Sequence, residues 1–252
     1  MVKEIENLLP INGFNQYHEP FIGGGSIFFH LNPNAAYISD LNQELIDTYI
    51  QVRDNIDEVI HYLKSFKNSK DDYYNIRKSL FRIPAKKAAR FIYLNQTSFN
   101  GIYRVNLKGE YNVPYGNRIG HKIDYDNLKL AHIVLQGTTI KCQDFYCILE
   151  NVQEGDLVFL DPPYTVTHND NGFIKYNQKL FSIEEQYRLS EMIKLIKERN
   201  AYYILTNAAH PKVKEIFDHG DSIIELKRAS LIGGKNAQRG KYAEIIITNG
   251  RA

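Results

Sequence analysis

Cysteine is scarce: Cys142 and Cys147 are the two that occur in 252 residues. Two cannot build a disulfide framework, and they lack metal-site spacing. A reducing, cytoplasmic setting without a metal is therefore expected. No stretch approaches the roughly 20 apolar residues of a membrane span, so no membrane association is expected. The opening MVKEIENLLPING carries acids and lacks a continuous apolar core, so no signal peptide is expected. An excess of one charge is also missing, because 31 basic residues face 29 acidic ones for a net charge of +2. Any nucleic-acid surface must then be local. There is no internal repeat, low-complexity tract or long linker. Neither G-x-G-x-x-G nor G-x-x-x-x-G-K-[ST] occurs, which argues against a dinucleotide or a nucleoside triphosphate.

What remains is ordinary globular material, with 43% hydrophobic and 24% charged residues, enough to bury a sizeable core. The segment QYHEPFIGGGSIFFHL reads as a strand running into Gly23, Gly24 and Gly25, with a helix opening at Ser26. YISDLN is a short strand ending at Asp40. NQELIDTYIQVRDNIDEVIHYLKSF has apolar residues near helical spacing and reads as one helix or two. KKAARFIYLNQ is a further helix, and it feeds TSFNGIYRVNLKGEYNVPYGNR, whose Gly, Asn, Tyr and Pro114 are turn chemistry. TTIKCQDF, DLVFLDPPY, AYYILTN and YAEIIITN read as strands. SIEEQYRLSEMIKLIKERN reads as a helix capped by Ser182 with Glu185 in capping-box position. Alternating elements predict an α/β protein with a mostly parallel sheet. Residues 53–136 then form an inserted, mainly helical segment, between 1–52 and 137–252 of the main domain.

DPPY, Asp161–Tyr164, follows the apolar strand LVFL. In open α/β sheets ligands sit at the carboxyl ends of strands. Two prolines fix φ and remove two backbone donors, leaving carbonyls to accept from a substrate amine. Asp161 adds a carboxylate and Tyr164 a flat face for stacking. That set suits a base amine that loses a proton as it is methylated. A proline-rich turn after a strand is the plainer alternative. FIGGGS, Phe21–Ser26, lets backbone approach a ligand closely, although an ordinary tight turn would use the same glycines. Asp40 ends the next strand and can accept from ribose hydroxyls, or serve to cap the following helix.

Taken in order, these blocks resemble the Dam-type (D12 class, alpha-group) adenine-N6 DNA methyltransferases. EPFIGGGSIFF resembles their glycine motif, YISDLNQELI their second motif and SFNGIYRVNLKGEYNVPYG their recognition segment. DPPY, LTN and RGKYAEIIITN resemble the remaining blocks, so the match runs from about Glu19 to the end. The resemblance implies a Rossmann-like sheet and S-adenosyl-L-methionine as methyl donor. Its binding would fall to Phe21, Gly23, Gly25, Ser26, Asp40, Asp144, Phe145 and Asp161. Gly23 and its neighbours would line the methionine part, Asp40 the ribose, and Asp144 the cofactor adenine, with Phe145 packed on that ring. Asp161 and the Pro162 carbonyl would hold the target N6, and Tyr164 would stack on the target base. The resemblance departs at the start, where the Lys-Trp-x-Gly-x-Lys-like segment has no counterpart and Lys3 does not stand in its place. Either the sequence starts short of that segment, or the protein is a weakly active or inactive DNA-binding relative, which is the alternative function. A protein glutamine methyltransferase is another, though such enzymes carry Asn where Asp161 stands.

Between 81 and 120, Arg82, Lys86, Lys87, Arg90, Arg104, Lys108 and Arg118 face Glu110 alone. This local positive charge, interleaved with Phe99, Tyr103, Tyr111 and Tyr115, suits phosphate neutralisation plus base contacts to double-stranded DNA. A solvated helix face would also carry such charges. By the resemblance Arg104 would read a guanine edge, as in enzymes that methylate GATC. Asn100 would contact a flanking base or phosphate, and Phe99 would wedge into the stack as the target base flips out. Lys108 and Arg118 lie in the same stretch. The loop GGKNAQRGK offers Lys235, Arg239 and Lys241 to the backbone. A monomer is expected.

Overall fold

The structure is a computed structural model, and it describes residues 1–106, 109–117, 120–163, 181–229 and 241–250. Tyr164, Lys108, Arg118, Lys235 and Arg239 lie outside the described residues. The chain forms two compact units, one of residues 1–39 with 143–252 and one of residues 40–142.

Helix α1 (Val2–Glu6) precedes β1 (Tyr17–Glu19), α2 (Ser26–Leu31) and β2 (Ala36–Asp40). Then come α3 (Gln43–Asp54), α4 (Ile56–Ser65), α5 (Lys70–Lys78), α6 (Pro84–Thr97) and α7 (Tyr125–Leu135). Strands β3 (Thr139–Cys142) and β4 (Leu157–Leu160), helix α8 (Ile183–Glu198) and β5 (Tyr202–Ala208) follow. Helix α9 (Pro211–Ile216), β6 (Ser222–Ala229) and β7 (Lys241–Thr248) close the chain. The seven strands run in the order β3-β2-β1-β4-β5-β7-β6. Pairs β1/β2, β1/β4 and β4/β5 are parallel, and β7 is antiparallel to both β5 and β6. This is the mixed α/β, mostly parallel, Rossmann-like sheet that the alternation of elements predicts. No helix among the described residues is long and apolar enough to cross a membrane.

Strand β4 reads as a continuous apolar run because both faces are covered. All four residues of β4 are buried, and Val158, Leu160, Tyr203 and Leu205 meet Leu189, Met192, Ile193 and Ile196 of α8 in one cluster. Ser182 caps α8 by accepting from the Glu185 amide at 3.2 Å. At the amino ends of β1 and β4, buried Asp156 accepts from the Gln16 amide at 3.0 Å, bonds His18 Nε2 at 2.9 Å and accepts from the Gln153 amide at 2.9 Å. Burial lowers the His18 pKa, so the ring is a neutral partner there. These contacts fix the register Tyr17↔Leu157 and His18↔Val158, and with it what stands at the strands' other ends.

In the second unit the long helical run breaks at Asn55, whose φ of −138° and ψ of 41° separate α3 from α4. Its core joins Val59, Leu63, Tyr73, Ile76, Tyr93, Tyr111 and Val113.

Candidate active site

The strand order reverses between β1 and β4, and such a switch point opens a crevice at the carboxyl ends of the strands. The glycine turn leaves β1 at that point and Asp161 leaves β4. The sequence thus separates by well over a hundred positions two motifs that parallel pairing makes neighbours.

The turn is shaped by its glycines. Gly23 has φ 44° and Gly25 φ 65°, the left-handed region that side chains with a Cβ rarely adopt. The Gly25 amide donates to the Ile22 carbonyl at 2.7 Å, which closes the turn before Ser26 begins α2. A Cβ at Gly24 would meet nothing within 4 Å, so this backbone borders open space.

Asp161 is exposed beyond buried Leu160, and Pro162 is buried. The Thr206 hydroxyl of neighbouring β5 donates to Asp161 Oδ1 at 2.5 Å, which fixes the carboxylate's rotation. A second acid stands nearby. Glu19, the last residue of β1, is 3% exposed, and its Oε2 accepts from the Tyr17 hydroxyl at 2.7 Å. Burial pushes its pKa up to about 8, against the pull of that hydrogen bond, and the Asp161 charge pushes the same way. At neutral pH Glu19 is therefore mostly protonated. Burial and the Glu19 charge push the Tyr17 hydroxyl well above its usual range.

Aromatic and charged groups gather after β3. Phe21 stacks on Phe145 at 5.2 Å, and Phe181 meets both rings at 5.7 Å. Asp144 caps the 3-10 turn Phe145–Glu150 by accepting from the Tyr146 amide at 3.0 Å. Arg188 of α8 grips the same carboxylate with both terminal nitrogens. Asp40 closes β2, where its Oδ1 accepts from the Asn42 amide at 2.9 Å. Asn42, not Asp40, supplies the N-cap of α3, accepting from the Leu45 amide at 3.2 Å. Sequence reasoning assigned no role to Glu19, Thr206 or Arg188. Glu19 and Thr206 lie inside the quoted EPF and LTN blocks, so position gave a signal, whereas Arg188 had none beyond its helix.

In the second unit, Phe99 is 51% exposed at the head of a 3-10 turn, and Asn100 takes a left-handed φ of 55°. The Phe99 amide donates to the Pro114 carbonyl at 2.9 Å, and Ser98 bridges Tyr115. Any side chain at Gly116 would collide with the Ser98 backbone. Arg104 is exposed on a hairpin closed by the Val105–Tyr111 bridge, and its Nε donates to Asn112 Oδ1 at 2.7 Å. Tyr111 is buried in this unit's core, and Tyr103 and Tyr115 are half-buried against it, so less of their rings is left for a surface than the spacing suggested. Arg90 is likewise internal, donating to the Ile76 and Arg77 carbonyls and to Glu44. The basic stretch is therefore smaller at the surface than its composition suggested.

A sheet of this order with both motifs at its switch point has the layout of a methyltransferase of the Rossmann-like class. Residues 1–232 match the family described as D12 class N6 adenine-specific DNA methyltransferase. The chain is similar to the Type II methyltransferase M1.LlaDCHI of Lactococcus lactis subsp. cremoris, with 36% identity over 99% of this chain and 91% of that protein. It is also similar to the Type II methyltransferase M.MjaIII of Methanocaldococcus jannaschii, with 32% identity over 99% and 94%. The DNA adenine methylase of Haemophilus influenzae is 29% identical over 99% and 90%. The chain belongs to the D12 class of N6 adenine-specific DNA methyltransferases.

Proposed function

We propose that this enzyme methylates N6 of an adenine flipped out of duplex DNA, in the sequence GATC, with S-adenosylmethionine as donor. The observation that supports it most is Asp161, held by Thr206 at the strand end next to the glycine turn. The other residues present fit the donor: an open glycine turn for its amino-acid end, Asp40 for ribose hydroxyls, and Asp144 beside Phe21 and Phe145 for its base. When bound, S-adenosylmethionine supplies an activated methyl group, so a metal is not required.

The chain's own part is to present the amine. Asp161 and the Pro162 carbonyl accept from the two N6–H groups and draw the nitrogen lone pair out of conjugation with the purine. The proton that N6 sheds passes to Asp161, which is exposed and can release it to water. Burial keeps Glu19 uncharged at neutral pH, so it adds no second negative charge beside Asp161. Rate enhancement then comes from positioning and fixed electrostatics. Phe99 enters the base stack to offset extrusion, which costs a few kcal/mol, and Arg104 binds a guanine O6 and N7 with its fork. Tyr164 stacks on the extruded base. Lys108, Arg118, Lys235 and Arg239 add backbone contacts, residues 53–136 form the recognition insertion, and the enzyme acts as a monomer.

The test is to incubate the protein with labelled S-adenosylmethionine and plasmid, then map modified bases by sequencing. Label at adenine N6 within GATC is expected, and Asp161→Ala should abolish it while DNA still binds. Normal methylation by that variant would remove Asp161 from the mechanism.

A further inference from the structure

We propose that Arg188 is the positioning residue that makes the donor site selective for a 6-amino purine. It does so by leaving Asp144 a single acceptor direction. The proposal rests on the reading of Asp144 and Phe145 as the adenine end of that site.

A carboxylate has about four lone-pair positions. Oδ1 of Asp144 accepts from the Tyr146 amide at 3.0 Å and from Arg188 Nη2. Oδ2 accepts from Arg188 Nη1 at 3.0 Å. Three positions are thus taken, and the fourth is on Oδ2. The fork itself is immobilised. Glu185 Oε2 accepts from Nη1 at 3.2 Å, and the guanidinium lies 4.7 Å above the Phe145 ring and 5.2 Å from Tyr146. The pair is within reach of a ligand, with side chains 41% and 32% exposed. Ion pairs this exposed contribute little to stability, so the consequence lies in orientation. One fixed acceptor welcomes an exocyclic N–H and repels a carbonyl oxygen. Lysine would supply charge without the planar fork.

The probes are S-adenosylhomocysteine and its 6-oxo analogue S-inosylhomocysteine, titrated calorimetrically into the full chain. The wild type should bind the amino compound at least about tenfold tighter, the usual cost of leaving a charged acceptor unpaired. Arg188→Leu keeps apolar cover on Phe145 but frees the carboxylate to rotate. It should weaken S-adenosylhomocysteine about tenfold, leave the analogue within about twofold, and so collapse the ratio. Arg188→Lys should restore only part of it. A ratio unchanged in Arg188→Leu would overturn the proposal. So would tighter binding of S-adenosylhomocysteine, because the guanidinium would then be an obstacle. If Asp144→Ala, with Arg188 intact, leaves the ratio unchanged, the assignment of Asp144 to the cofactor base fails instead.

Discussion

Replacing Glu19 by glutamine tests whether a neutral acid sits beside Asp161. The glutamine amide has nearly the same shape and can still accept from the Tyr17 hydroxyl. The difference lies in titration. Glu19 has an ordinary pKa of 4.5 and a folded value of about 8, raised chiefly by burial. Between these values the folded protein binds more protons than the unfolded chain, so the stability Glu19 contributes falls as pH rises. That contribution is fully present below about pH 4.5 and has gone once pH passes about 8. At about 1.4 kcal/mol per unit the whole window amounts to about 5 kcal/mol, and the span from about pH 6 to about pH 8 to about 2 kcal/mol. The assay is urea unfolding of both proteins at several pH values, with constant m-values confirming that one transition is compared. Groups other than its coupled neighbours Asp161 and Tyr17 titrate alike in both, so the wild-type minus Glu19→Gln difference reports chiefly this carboxyl. That difference should decline steadily from acid to alkaline pH. A flat difference, or one that rises, would show that Glu19 is charged when folded and refute the description of Glu19 as a neutral neighbour of Asp161.

Thr206→Val keeps the buried volume while deleting the hydroxyl that holds Asp161. Loss of a bond to a charged group, about 1.5–3 kcal/mol, should lower single-turnover methylation about ten- to a hundredfold with little change in cofactor affinity; unchanged turnover would show that the carboxylate needs no anchor. Phe99→Ala should impair methylation of paired adenine far more than of adenine in a mismatch, where extrusion costs less; equal impairment of both would remove Phe99 from base flipping. Arg104→Ala should lose about 1–3 kcal/mol of discrimination at one guanine, read as the kcat/KM ratio between guanine and 7-deazaguanine sites. A uniform loss across sequences would make Arg104 a phosphate contact instead.

Local chemistry was legible where one stretch of chain decides the outcome. Ser182 with Glu185 announced the cap of α8, and three adjacent glycines announced a turn with positive φ. The long helical run leaves one helix or two open in sequence, and the break at Asn55 decides for two. Strand β6 was harder, since SIIELKRA mixes apolar and charged residues without a clean alternation; its pairing with β7 settles it. The tyrosines of the insertion misled for a related reason. Tyr103, Tyr111 and Tyr115 have apolar bodies and polar tips, so composition allows a base-stacking surface or a core with satisfied hydroxyls. Burial decides for the core, and Tyr111 gives its hydroxyl to the Ile102 carbonyl at 2.7 Å.

Sequence reasoning gave Asp161 the reacting role and Glu19 none; what it could not read was that a second acid stands nearby and that burial keeps it protonated, because protonation depends on depth. Strand pairing puts Glu19 under the turn, where leaving water costs more than its hydrogen bond returns, so it stays protonated. Asp161 stands just beyond the last buried residue of β4, reaches solvent, and gains the Thr206 hydroxyl from the next strand. The position of negative charge in this site is therefore set by parallel pairing of β1, β4 and β5, and only indirectly by the motif residues themselves.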